Sequence, residues 1–237
     1  MTFTTTRLNR LPAAERGLTI GDFLVPIALA ERISARARHV VLVVVGAILV
    51  ALAAGVSLEL QGQTITLLGD IRVTLPTSPV PVTGQTLAVV LVGGALGFRR
   101  GILALVLYLV LGLFLPVYAG RASGPEVLAV LRDGHWVLGA TGGYLLGFVL
   151  AAGLVGRLAE LGWDRHVGGA VAAMALGNVA VYALGVPWLM AAVGYDLETA
   201  LNKGVAPFLF GDLLKLALAG ILFPAAWWLV GRRTEER

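Results

Sequence analysis

Asp212 and Lys215 stand three residues apart inside an otherwise apolar run, residues 205–230, in the order Gly211-Asp212-Leu213-Leu214-Lys215. At helical spacing the two charges share a face and are close enough to pair. A charge at the centre of a membrane helix costs roughly 2.5–3.5 kcal/mol on insertion scales, so such residues default to a functional role. Asp212 falls about eight residues into the run, ~12 Å from its start, and Lys215 is ~4.5 Å deeper, far for its amine to reach the interface. An acid and an amine in an apolar wall can hold a polar ligand, or join helices as a structural ion pair.

Further candidates open other apolar runs. Pro79-Val80-Pro81-Val82-Thr83-Gly84-Gln85-Thr86 leads into one of them. Its prolines cannot continue a regular helix. Thr83 could cap an ordinary helix there. Alternatively, broken backbone buried at membrane depth lines a cavity into which the Gln85 amide projects. Thr141-Gly142-Gly143-Tyr144 opens another run. Its glycines admit a close ligand or a close helix, and Tyr144 reads as a ligand contact or an interfacial belt residue. Ala47, Ala51 and Gly55 repeat every four residues. This small-residue stripe suits close helix association, within the chain or onto a partner.

Other chemistry is missing. Cysteine is absent, which removes thiolates and disulfides. His39, His135 and His166 fall near helix ends or in loops, and no metal site is expected from them. No catalytic Ser/His/Asp set and no phosphate-binding glycine loop occurs, so neither a catalytic site, nor a cofactor, nor ATP hydrolysis by this chain is expected.

Elements must position these residues. Of 237 residues 58% are hydrophobic and 14% charged, with mean hydropathy +0.87. Soluble domains are nearer half apolar and a quarter charged, so the chain reads as an all-α integral membrane protein. Six spans are expected, at about residues 40–56, 85–98, 102–115, 139–158, 167–193 and 207–230, the fifth interrupted near Gly185 and Pro187. Arg99-Arg100-Gly101 makes the turn between the second and third. Residues 1–38 form a basic N-terminal segment containing an interfacial helix within residues 18–30. Residues 39–231 form the membrane domain and residues 232–237 a tail. A β-hairpin is expected around Gly69-Asp70.

Thirteen of the 18 Lys and Arg residues fall in the N-terminal segment, at Arg99-Arg100, at Arg157 and Arg165, and after residue 231. Only Arg72, Arg121, Arg132 and Lys203 fall in the alternate loops. The positive-inside rule then places both termini in the cytoplasm, with a multi-pass chain in the cell membrane. The pI near 9.8 follows from this bias and does not point to nucleic acid.

Four stretches, in order, resemble the BioY family, the biotin-specific S components of energy-coupling-factor transporters. They are residues 79–87; Gly97-Phe98-Arg99-Arg100-Gly101; Leu115-Pro116-Val117-Tyr118-Ala119-Gly120 with residues 141–148; and residues 207–215. The resemblance implies the S-component fold and biotin binding from outside. It also implies a T component and two cytoplasmic ATPase subunits as partners. It assigns biotin contacts to Gln85, Tyr118, Arg121, Gly142, Gly143, Tyr144, Asp212 and Lys215, and T-component docking to Ala47, Ala51 and Gly55. Chemically, the apolar bicycle wants apolar walls. Asp212 and Gln85 could complement the ureido group, and Lys215 or Arg121 the carboxylate. The alternatives are an S component for another vitamin, an intramembrane enzyme using Asp212, and a structural subunit with a buried ion pair.

Overall fold

The computed structural model describes residues 18–24, 34–58, 64–67, 71–74 and 77–235. It is mostly helical: α1 Ile20–Leu24, α2 Ala35–Ala54, α3 Gln85–Leu96, α4 Phe98–Gly112, α5 Gly142–Glu160, α6 Val167–Val193, α7 Leu197–Gly204 and α8 Ala206–Glu235. Three short antiparallel pairs join them. β1 Ser57–Leu58 pairs with β4 Val82–Thr83, β2 Thr64–Leu67 with β3 Ile71–Thr74, and β5 Ala129–Arg132 with β6 His135–Leu138. The hairpin expected around Gly69-Asp70 is β2–β3, its turn lying outside the described residues. Of the interfacial helix only α1 is described. It lies against the bundle, with Ile20 buried and Phe23 edge-on to Trp227.

Among the described residues, five stretches are long and apolar enough to cross a membrane: Ala35–Ala54, Gln85–Gly112, Gly142–Glu160, Val167–Val193 and Ala206–Val230. The second is folded in two. Gln85, at the start of α3, hydrogen-bonds Tyr108, near the end of α4, so the helices run antiparallel. The reversal takes one residue, Gly97, at φ 81° and ψ 178°, a conformation open to glycine. The turn is thus not Arg99-Arg100-Gly101; those residues form the first turn of α4. Arg100 donates to the Leu96 carbonyl (2.7 Å) and pairs with Asp22 (2.8 Å). Burial pushes the Asp22 carboxyl up, but hydrogen bonds from Arg100 and Thr19 outweigh it and hold it below its ordinary value.

The fourth stretch, Val167–Val193, is unbroken. Pro187 removes one intrahelical hydrogen bond, yet α6 continues through it, and Trp188 donates its indole N–H to the Gly139 carbonyl (2.9 Å). Small residues set the helix spacing. A Cβ on Gly93 would lie 2.5 Å from the Ala152 carbonyl oxygen, and one on Gly147 2.8 Å from Val181 Cα. The core joins Val50, Val89, Leu105, Tyr108, Ala151 and Leu189. Ala47 belongs to it and is fully buried. The stripe Ala47, Ala51, Gly55 is therefore no single free surface: Ala47 packs inward, Ala51 is half-buried and Gly55 is exposed. The exposed face of α2 is Val41, Val45, Ile48 and Leu52.

Candidate substrate site

The ends of α3 and α5 that follow the proline-rich segment and Thr141 enclose a cavity of about 320 Å³. Val80, Val127, Leu145 and Phe148 supply apolar wall, and Gln85, Thr83, Tyr118 and Thr141 supply the polar side chains. The prolines explain its shape. Residues 79–81 cannot be helical, so the chain reaches α3 as the strand β4, paired with β1. Thr83 then accepts from the Gln85 backbone N–H (3.2 Å), although the cap position itself is Gly84. Gln85 is 3% exposed. Its amide accepts from the Thr83 hydroxyl (3.0 Å) and donates to the Tyr108 hydroxyl (2.7 Å).

Tyr118 stands across the cavity. Its hydroxyl donates to the Leu109 carbonyl (2.7 Å), and burial pushes its phenol above the ordinary value. It therefore presents a neutral ring. Arg121 does not line the cavity; Ala119 and Ala122 do. Gly120 and Arg121 both take positive φ, 66° and 60°, and Arg121 is exposed.

Asp212 and Lys215 do not line this cavity either. They pair at 3.5 Å, with side-chain exposures of 6% and 14%. Lys215 Nζ donates to Thr86 Oγ1 (2.8 Å), one residue beyond Gln85. The Tyr182 hydroxyl donates to Asp212 Oδ2 in a short hydrogen bond, while Oδ1 has no hydrogen-bond donor of its own. Tyr182 meets Tyr144 edge-on at 6.5 Å, and Tyr144 donates to the Gly204 carbonyl (2.9 Å). Tyr144 is thus a buried strut between α5 and the end of α7, not an interfacial belt residue. A polar line runs from Tyr182 through Asp212 and Lys215 to Thr86, joining α6, α8 and α3.

Gly142 and Gly143 serve Trp188. A Cβ on Gly142 would lie 2.8 Å from its ring, and one on Gly143 2.2 Å from its Cβ. Close helix approach is what these glycines provide here; the neighbouring Gly139, Ala140 and Thr141 line the cavity instead. Sequence reasoning missed Thr86, Tyr108 and Tyr182. Each is a hydroxyl inside an apolar run, and that was the only signal. A larger apolar groove, about 1310 Å³, lies between α2 and α4 at the arginine-rich end. Of its charged groups Asp22 pairs with Arg100 and Arg157 with Glu160, while Arg99 also lines it.

The sequence profile of the BioY family matches residues 63–232. A protein of Thermotoga maritima named "Biotin transporter BioY" is 36% identical over 155 residues, covering 63% of this chain and 82% of that one. One of the same name from Rhizobium etli is 33% identical over 152 residues, covering 61% and 76%. A crystal structure of the S-component for biotin from an ECF-type ABC transporter shares the fold. Its TM-score is 0.60 at 20% identity, over 86% of this chain and 95% of that one.

Proposed function

The chain is a member of the BioY family, and on that premise we propose that it is the substrate-binding subunit for biotin uptake across the cytoplasmic membrane. It is a transport component, not an enzyme. The fold-back of α3 and α4 at Gly97 supports six crossings, and the arginine distribution supports cytoplasmic termini. A T component and two ATPase subunits drive the cycle.

The observation that carries this reading is the buried Gln85 amide facing a cavity with largely apolar walls, where Thr83, Tyr118 and Thr141 are the other polar side chains. At 12 residues, α3 is only ~18 Å long, short of the ~30 Å hydrocarbon core. The proline-rich strand before it therefore sits at membrane depth, where irregular backbone is tolerated when it lines a cavity. The bicyclic part of biotin fills the apolar walls between Val80, Tyr118 and Phe148, and its ureido group meets Gln85. Lys215 is the cation for the valerate carboxylate. To reach it, Nζ exchanges its bond to Thr86, which links occupancy to the contact between α3 and α8. Asp212 pairs with Lys215, and Tyr182 holds Asp212.

Calorimetric titration of the purified full-length protein tests the assignment. Saturable biotin binding is expected. Lys215→Ala should weaken it by roughly ten- to a hundredfold, the scale of a lost charge-assisted hydrogen bond. Saturable thiamin or riboflavin binding in the absence of biotin binding would sink the reading.

A further inference from the structure

Tyr108 is wholly buried and does not line the cavity itself; it touches the lining residues Gln85, by a hydrogen bond, and Tyr118, ring to ring. The Tyr108 hydroxyl carries one proton, which goes to the Val117 carbonyl (3.3 Å). The oxygen can therefore only accept from Gln85 Nε2. On the other side, the single Thr83 proton goes to Gln85 Oε1, while the Thr83 oxygen accepts the Gln85 backbone N–H. The amide is thus fixed by an acceptor at its nitrogen and a donor at its oxygen. Turned over, it would set Oε1 against the Tyr108 oxygen, whose proton is already committed, and Nε2 against the Thr83 proton. An amide has two N–H donors and two carbonyl lone pairs. One of each is used here, leaving one donor and one acceptor.

We propose that Tyr108 is a positioning residue that sets the Gln85 amide so its remaining N–H and carbonyl lone pair meet a cyclic urea in the cavity. The inference rests on the biotin reading above. The same ring lies edge-on to Tyr118, with centroids 5.6 Å apart at 83°, so Tyr108 also backs the wall opposite Gln85. Exchanging the partners of Gln85 changes which ligand atoms the amide can match, not merely how tightly they fit.

The test uses full-length protein titrated with biotin and with an analogue whose ureido oxygen is replaced by an imino nitrogen. That group is guanidinium-like, so it donates but does not accept. Wild type should prefer biotin. Tyr108→Phe frees the amide to turn over. It should weaken biotin binding by roughly tenfold, the scale of one net hydrogen bond, and narrow the preference over the analogue by a similar factor. Thr83→Val releases the other end of the amide and should narrow the same ratio, so the test does not depend on one variant folding. An unchanged ratio in both variants overturns the inference, as does an equal loss of both ligands. Wild-type protein that fails to bind biotin overturns the biotin reading and this inference together; binding with an unchanged ratio overturns this inference alone.

Discussion

Asp164 sits in a single turn of 3-10 helix, Trp163–Arg165, between α5 and α6. It is 3% exposed, and burial pushes its carboxyl up to about 6, against a hydrogen bond donated by Trp227 Nε1 (2.7 Å) and the nearby Arg165 charge. Oδ1 has no partner. A carboxyl whose folded value is raised holds its proton longer in the folded than in the unfolded chain. Stability therefore falls as pH rises from about 4 to about 6 and stays low above that. Asp164→Asn keeps an acceptor for Trp227 and removes the buried charge. It should raise thermal stability at pH 7.5 by about 2 kcal/mol, with the gap closing toward pH 4.5. Unfolding in detergent across that range measures it; a pH-independent difference would show that the carboxylate is already compensated. The residues that sequence made legible were those whose type is costly where it stands: Asp212, Lys215 and Gln85. The residues it hid are ordinary where they stand. Tyr182, Thr86 and Tyr108 join the polar groups of the candidate site only through partners 30, 129 and 23 residues away, and no local pattern encodes such a pairing. Gly142 and Gly143 invited a ligand because a glycine's neighbour cannot be read from its own position.

At the level of elements, the reversal at Gly97 matters most, because it brings the start of α3 back beside the end of α4 and so makes the Gln85–Tyr108 bond. A side chain there would need positive φ and would lie 2.8 Å from Glu160 Oε1, which accepts from the Phe98 N–H (2.9 Å). Gly97→Ala should destabilise the protein by roughly 1–3 kcal/mol, read as a lower melting temperature with biotin affinity reduced through Gln85. An unchanged melting temperature would mean that the chain can turn elsewhere. Sequence located this hairpin but put its turn two residues late, since paired arginines look like a loop when they are in fact a first helical turn held by Leu96 and Asp22. It also read Pro187 as an interruption. A membrane helix absorbs one lost hydrogen bond when its neighbours pack around it, and Gly185 against the Tyr144 ring does so here. The helix α7 was legible in hindsight only by its cap, where Asp196 accepts from the Thr199 N–H (3.1 Å).

Among the described residues, large apolar side chains cover the outside as well as the core, while a few polar groups are buried. Phe210 and Phe114 are 83% and 79% exposed, while Gln85 and Asp212 are buried. This distribution suits a lipid surround. Composition made the membrane class plain, but not which face of α2 is free. With Ala47 buried, we propose that a T component would dock on the exposed side of that helix, Ile48, Leu52 and Gly55, with Ala51 beside them. Leu52→Trp should abolish co-purification with a T component and leave biotin affinity unchanged; retained co-purification would move the docking face elsewhere.

The contacts of α1 carry a consequence in time. Thr19 and Asp22 hold Arg100, and Phe23 rests on Trp227. This early helix is thus packed against both α4 and the much later α8. During synthesis the arginine-rich end of the bundle cannot close over Phe23 until α8 has been inserted and brings Trp227 against it.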